Sequence, residues 1–203
     1  MSHANWHRRV LLKGALAATA AGDLPHHAIG QTPLRIRLNW QQFKLSTQYA
    51  SFRNAIAAMR QNSNPLDPAS LLYWADVHQN YCPHGTPYSI SWHRGYLYHF
   101  EQQLRQVSGN PDLNLPYWDY YSSPVIPAEF TDPAPGNPLR VARTNTNVQG
   151  ALDLAPFDPA VFNFQRGTVN AFETKIEDAP HNHLHNLTGE IMASMDSSLD
   201  PIF

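Results

Sequence analysis

The chain has 203 residues, of which 42% are hydrophobic and 15% charged, and its formal net charge is −2. This composition argues against a disordered chain, and the lack of a basic excess argues against a nucleic-acid-binding protein. The single cysteine, Cys82, excludes an internal disulfide framework and a cysteine-rich metal site, whereas 11 histidines are enough for an imidazole-bound metal.

The first 30 residues have the layout of an export signal. Arg8 and Arg9 precede a short run of small and apolar residues, which resembles a twin-arginine signal. This run is shorter than the roughly 20 residues that span a bilayer. We expect residues 1–30 to be a twin-arginine export signal and the protein to be periplasmic or secreted, with no membrane span. An ordinary amphipathic helix is the alternative for this segment.

The next part of the chain is predicted to be helical after an extended start. Alternating apolar and basic residues favour a short β-strand within residues 31–46. Apolar residues then recur at helical spacing in residues 47–61. Asp67 and Pro68 are typical of the N-cap and first position of a helix, which we expect to continue through His78.

A further long helix is predicted over residues 89–107, and the Ser-Gly-Asn-Pro sequence that follows is typical of a helix end. Residues 122–160 are rich in proline and predict a long irregular loop on the surface. A last helical region is predicted over residues 172–195. The expected fold is therefore mainly α, with long connections, in a single domain over residues 31–203.

Two groups of histidines have spacings that suit a metal ion. His78 lies at the end of one predicted helix, His84 in the Pro/Gly loop and His93 at the start of the next helix, so antiparallel helices would bring them together. His181 and His185 are four residues apart, which places both on one face of a helix. Neutral imidazoles bind copper, zinc, iron or nickel. Each histidine could instead be a structural residue held by hydrogen bonds.

Longer motifs resemble the tyrosinase and polyphenol oxidase family. Cys-Pro-His-Gly at 82–85 and Trp-His-Arg-Gly-Tyr-Leu at 92–97 resemble the first copper motif, and Leu-Pro-Tyr-Trp-Asp-Tyr at 115–120 resembles the "PYWD" segment. The run from 177 to 192 is similar to the start of the second copper motif, and Asp-Pro-Ile-Phe at 200–203 to the run before its final part. The resemblance covers roughly residues 40–203.

The resemblance implies a type 3 dicopper site in a four-helix bundle with long irregular loops. Copper A would take His78, His84 and His93, and copper B would take His181 and His185. In this family the copper pair uses dioxygen to hydroxylate monophenols at the ortho position and to oxidise o-diphenols to o-quinones. A small phenol is therefore the expected substrate, and the oligomeric state stays open.

Three further residues receive roles from the same resemblance. Glu177 and Asn182 are similar to a pair that holds a water able to deprotonate the phenol, and a carboxylate with an amide can orient such a general base. The alternative for Glu177 is a carboxylate favoured by the positive end of a helix. Cys82 lies two residues before His84, the spacing of a Cys–His thioether in some relatives; a buried inert thiol is the alternative.

The sequence departs from the family pattern at its end. Family members continue after the Asp-Pro-x-Phe run with a His-His segment that supplies the third copper B ligand, whereas this sequence stops at Phe203. We expect the last bundle helix to be missing and copper B to be weakly held. A fragment of a longer product is favoured over a truncated gene or completion of the site by His183 or a second chain.

Three other functions remain as alternatives at this stage. The first is an inactive truncated fragment that binds one copper or none. A dioxygen carrier of the hemocyanin type would use the same pair of copper ions. A zinc hydrolase is disfavoured because the two groups contain five histidines and no HExxH motif.

Overall fold

Helices joined by long irregular segments form the fold of the computed structural model, which describes residues 35–202. The α-helices of this part are α1 (Trp40–Phe43), α2 (Gln48–Gln61), α3 (Leu71–Tyr81), α4 (Ser89–Ser108), α5 (Phe172–Ile176) and α6 (His183–Thr188). The mainly α fold is confirmed. In the described part, no helix combines the length and apolarity that crossing a membrane requires. The expected export signal, residues 1–30, lies outside the described residues.

The predicted strand near the start of the domain is wrong. Residues 35–38 form no strand, and α1 follows directly after Asn39, whose side chain accepts a hydrogen bond from the amide of Gln42 at 3.0 Å. Asn39 makes only an isolated parallel bridge, with Tyr117. This single bridge does not extend into a strand, because the capped helix α1 begins at the next residue.

Helices α2 and α4 occupy the predicted ranges, whereas α3 begins at Leu71 and not at Pro68. Ser70 is its N-cap, with a hydroxyl that accepts from the amide of Leu72 at 3.2 Å. Asp67 instead accepts from the amide of Ala69 at 2.9 Å, so it closes the turn before the helix.

The segment between α4 and α5 is irregular, as predicted, but it does not simply lie on the surface. It contains the short 3₁₀ turns Ala128–Phe130, Gln149–Ala151 and Ala155–Phe157. Its side chains Ile126, Phe130, Leu139 and Val148 are buried. Phe130 packs on Trp40 of α1 with ring centroids 4.4 Å apart. Apolar residues without helical or strand periodicity thus still contribute to the core.

The last helical region is broken into pieces. Between α5 and α6 the chain kinks within Glu177–Asn182, where Ala179 is extended with φ −149° and ψ 131° and its peptide bond to Pro180 is cis. After α6 come the 3₁₀ turns Glu190–Ala193 and Ser197–Leu199, and the second of these packs against α3. This arrangement brings the end of the chain beside the helix that carries His78.

Candidate metal centre

The structure brings the first three predicted histidines together. His78 is buried near the end of α3, His84 lies in the loop between α3 and α4, and His93 lies one turn into α4. The ring centroid of His78 is 5.1 Å from that of His84 and 5.7 Å from that of His93. The rings of His84 and His93 are 5.5 Å apart. Side chains from two helices and their connecting loop therefore form one cluster.

Backbone carbonyl groups set the orientation of two of these rings. Nδ1 of His78 lies 2.9 Å from the carbonyl oxygen of Met195, and Nδ1 of His93 lies 2.8 Å from that of Ser89. A carbonyl oxygen can only accept, so each Nδ1 carries the proton and donates it. The neutral ring then has its lone pair on Nε2, which is the usual arrangement of a metal-binding histidine.

The two histidines of the second group, His181 and His185, are also in contact. The ring centroids of His181 and His185 are 4.7 Å apart. Nδ1 of His185 donates to the carbonyl oxygen of Met192 at 2.6 Å, and Nδ1 of His181 lies 3.1 Å from Oδ1 of Asn182. Nε2 of His181 is buried without a hydrogen-bond partner among the described residues. A metal ion would satisfy that atom, whose burial is otherwise costly.

The i, i+4 spacing predicts this contact correctly but not the backbone that produces it. His181 lies in the kinked segment before α6, whereas His185 lies within α6. His183, two residues after His181, is exposed at the start of α6. The pair therefore comes together across a helix start and not along a continuous helix.

The two groups of histidines face each other. The ring of His181 lies 5.9 Å from that of His84 and 5.7 Å from that of His93, measured between centroids. Five imidazoles from three separate parts of the chain thus share one site.

Burial lowers the pKa of two of these imidazoles, His84 and His181, and so favours their neutral form. Loss of solvent lowers the pKa of His84 to about 4, and the neighbouring His78 and His93 act in the same direction. Burial, followed by the nearby His185, lowers the pKa of His181 to about 4. Because a metal binds the unprotonated ring, the site favours metal over protons at neutral pH.

Cys82 lies inside the first cluster. Its Sγ is 3.4 Å from Nε2 of His84 and 3.6 Å from Nε2 of His93. One ligand atom from each of His78, Cys82, His84 and His93 lies within 4.8 Å of the others. Burial and the charge of Glu177 raise the pKa of the Cys82 thiol to about 12, so without a metal it is protonated.

The two residues proposed to hold a water have different partners. The carboxylate of Glu177 is nearly buried and accepts from the backbone amide of Gly85 through both oxygens, at 2.8 and 2.9 Å. Asn182 is exposed, and its Oδ1 is the partner of His181 described above. Glu177 therefore fixes the loop that carries His84, which the sequence does not indicate because the donor is a backbone group.

A cavity of about 710 Å³ opens beside the histidines. His93, His181 and His185 form part of its wall, and most of the remaining lining is apolar or aromatic, including Ile90, Leu97, Trp118, Tyr120 and Phe157. Such a wall suits a flat organic ring.

The donor set fits copper. Neutral imidazoles suit copper, and three of the five rings donate Nδ1–H to a backbone carbonyl, as metal-binding histidines usually do. The carbonyl groups of Met192 and Met195 that orient two of these rings are functional groups that sequence reasoning missed. No side-chain pattern marks them, because only the tertiary fold brings these backbone atoms to the histidines.

Comparison with known proteins agrees with this geometry. The family model that describes the common central domain of tyrosinase matches residues 48–157. Tyrosinase HcTyr1 of Hahella sp. (strain CCB-MM4) is 28% identical over 186 residues, which cover 67% of this chain and 40% of that protein. The latent form of a chloroplastic polyphenol oxidase of Prunus armeniaca is 37% identical over 101 residues, covering 41% of this chain and 17% of that protein.

A solved structure of recombinantly expressed latent aurone synthase (polyphenol oxidase) has a similar fold. It superposes with a TM-score of 0.61 at 23% sequence identity, covering 84% of this chain and 45% of that chain. At this level of identity the likeness concerns the fold alone. The chain spans less than half the length of each of these relatives.

Proposed function

We propose, since this chain belongs to the tyrosinase family, that it oxidises small phenols with dioxygen at a pair of copper ions. The observation that carries the proposal is the convergence of five histidines, three of which donate Nδ1–H to backbone carbonyl groups. The residues matched by the family model include the first three histidines, and His181 and His185 follow beyond them.

Each group of histidines would hold one ion. His78, His84 and His93 would bind the first copper, and His181 and His185 would bind the second. When bound, the copper pair supplies the dioxygen chemistry, and the protein supplies placement, access and electrostatics. Three ligands on the first ion and two on the second predict that the first is bound more tightly.

The neighbouring residues would prepare the substrate. The apolar cavity beside His93, His181 and His185 would hold the phenol ring and exclude bulk water. Glu177 and Asn182 would orient a water that takes the phenolic proton, which leaves a phenolate with a more electron-rich ring. The hydrogen bonds from Gly85 place the Glu177 carboxylate at the edge of the site.

Cys82 would form a thioether with His84. The Sγ atom is close to the His84 ring, at 3.4 Å from Nε2. The bond replaces S–H and a ring C–H, so two hydrogens are lost, and dioxygen at the copper pair would be the oxidant. The copper-loaded protein would then have an intact mass lower by two hydrogens, and labelling of a free thiol would contradict the bond.

Residues 1–30 would direct export by the twin-arginine route, so the protein would act outside the cytoplasm. Mass spectrometry of the exported protein would then find a mature N-terminus between Ala21 and Gln31. An intact Met1 in the exported protein would contradict this proposal.

Oxygen consumption tests the proposed reaction. The copper-loaded chain should consume dioxygen in the presence of a monophenol or an o-diphenol, and His93→Gln should abolish this consumption. His183→Gln is the matched control, because His183 is an exposed histidine of the same region. Reversible oxygen binding without phenol turnover would instead indicate a carrier. Binding of one copper or none, with no turnover, would indicate an inactive fragment.

A further inference from the structure

One short segment accepts hydrogen bonds from both groups of histidines. The carbonyl oxygen of Met195 accepts from Nδ1 of His78 at 2.9 Å, and that of Met192 accepts from Nδ1 of His185 at 2.6 Å. The two acceptors are three residues apart in residues 190–200. The position of this segment therefore affects a histidine of each group at the same time.

The segment has little secondary structure to hold it in place. It consists of the two 3₁₀ turns that follow α6, joined by an extended Ser194 with φ −124° and ψ 171°. Turns of three or four residues have little stability of their own. Contacts from elsewhere in the chain must therefore fix where its carbonyl groups lie.

A buried ion pair provides such a contact. Asp200 ends the segment, and its side chain is fully buried. Nε of Arg143 donates to Oδ2 of Asp200 at 2.8 Å, and Nη2 donates to Oδ1 at 2.6 Å. Nη1 of Arg143 donates to the carbonyl oxygen of Phe130 at 2.7 Å. A guanidinium that donates two parallel hydrogen bonds fixes both distance and orientation.

The residues after Arg143 hold the other end of the same region. The amide of Thr144 donates to the carbonyl oxygen of Thr188 at 2.8 Å, and the side-chain amide of Asn145 donates to that of Leu187 at 2.7 Å. These carbonyls belong to the last turn of α6, which carries His185. The loop at 143–145 thus attaches the chain both before and after residues 190–199.

We propose that Arg143 and Asp200 are positioning residues for the metal centre. Their ion pair fixes residues 190–200, and through the carbonyls of Met192 and Met195 it orients His185 and His78 toward the metals. Neither residue touches a metal or a substrate in this account. The inference rests on the proposed function in one respect, that His78 and His185 are taken as metal ligands.

Asp200→Asn tests the proposal by metal affinity. It keeps the shape of the side chain but removes the charge that pairs with Arg143. Cu(I) affinity would be measured without oxygen, by competition with a coloured chelator. Loss of a group that orients a ligand typically weakens metal binding 10- to 100-fold, so we expect a loss of about 10-fold or more. Arg143→Lys, which keeps the charge but not the two parallel donors, should lose affinity in the same direction.

Glu101→Gln is the matched control. Glu101 forms an ion pair with Arg105 that is also largely buried, and it accepts from the amide of Leu115 at 2.8 Å. It lies eight residues after His93 on α4, roughly 12 Å along the helix axis. We expect this variant to lose stability but to keep its Cu(I) affinity within about twofold of the parent, less than the 10-fold expected when a ligand is misplaced. Equal affinity losses in Asp200→Asn and Glu101→Gln would overturn the proposal.

Ring N–H signals of the histidines provide a second readout that needs no metal. In nitrogen-detected NMR of the copper-free protein, Asp200→Asn should weaken the Nδ1–H signals of His78 and His185. The signal of His93 should remain, because its acceptor, Ser89, lies in its own helix. Loss of all three signals, or of none, would overturn the proposal. If Asp200→Asn does not fold, the same three Nδ1–H signals are compared in Arg143→Lys.

The outcomes also separate this inference from the proposed function. A parent protein that binds copper but does not oxidise phenols would contradict the proposed function and leave the positioning role standing. A parent protein that oxidises phenols, with unchanged His78 and His185 signals in Asp200→Asn, would support the function and contradict the positioning role.

Discussion

Substitution of Glu177 by Gln separates two roles of one carboxylate, the observed contact with the loop of His84 and the proposed part in taking the phenolic proton. The side chain accepts a hydrogen bond from the amide of Gly85 through both oxygens, and it lies at the edge of the proposed phenol site. The first role fixes the loop of His84, and the second would orient a water that takes the phenolic proton. Glutamine keeps the shape of the side chain and one acceptor oxygen but removes the charge.

The loss of stability can be worked out from the hydrogen bond. A hydrogen bond to a charged group contributes about 1.5–3 kcal/mol, and one between neutral groups about 0.5–1.5 kcal/mol. Glu177→Gln should therefore lower the free energy of unfolding by about 1 kcal/mol, about a fivefold change in the equilibrium constant. Urea denaturation of the copper-free protein measures this difference. The exposed Glu190 provides a control, Glu190→Gln, that should change it little.

The catalytic role has a different signature. If the carboxylate orients the base, Glu177→Gln should lower monophenol hydroxylation by roughly 100-fold or more, the usual contribution of a positioned base. Oxidation of an o-diphenol should fall less. Both rates would be measured as oxygen consumption per bound copper, so that a loss of metal is not counted as a loss of catalysis. Equal losses in the two reactions would refute the role as a base and leave only the role in the loop.

Two further predictions concern stability. A Cβ at Gly189, whose φ is 73°, would overlap Oγ1 of Thr144, so Gly189→Ala should cost about 3 kcal/mol in urea denaturation. Gly136→Ala, at φ 78° with open space around it, should cost only about 1 kcal/mol, and equal costs would exclude the overlap as the cause. Burial lowers the pKa of His84 and of His181 from 6.5 to about 4, so the unfolded chain binds more protons between these values. The urea midpoint of the copper-free protein should therefore fall as the pH decreases from about 6.5 to about 4, and a constant midpoint would contradict neutral buried rings.

The long helices were predictable because they have strong local patterns. Apolar spacing and turn residues locate α2 and α4, since amphipathic periodicity is a local property of the chain. The start of α3 was misplaced because Asp67 and Ser70 are both good caps, and the choice between them depends on contacts elsewhere. Ser70 donates to the carbonyl oxygen of Asn62 at 2.6 Å, and this contact is not readable from the local sequence.

The histidine cluster was predictable from spacing and motifs, but its supporting atoms were not. The grouping of His78 with His84 and His93, and of His181 with His185, follows from where the helices begin and end. The carbonyls of Met192 and Met195 and the amide of Gly85 are backbone groups, so side-chain identity carries no information about them. Their positions come from the kink before α6 and from the turns after it, which only the tertiary fold specifies.

Anaerobic titration of the purified chain with Cu(I) tests the central claim most directly. The account predicts two bound copper ions per chain, the first tighter than the second because the described residues offer it three histidine ligands and the second two. His93→Gln should weaken the first ion and His185→Gln the second, whereas His183→Gln should leave both unchanged. A chain that binds no copper, or whose binding does not respond to His93→Gln, would contradict the assignment of these histidines as the metal centre.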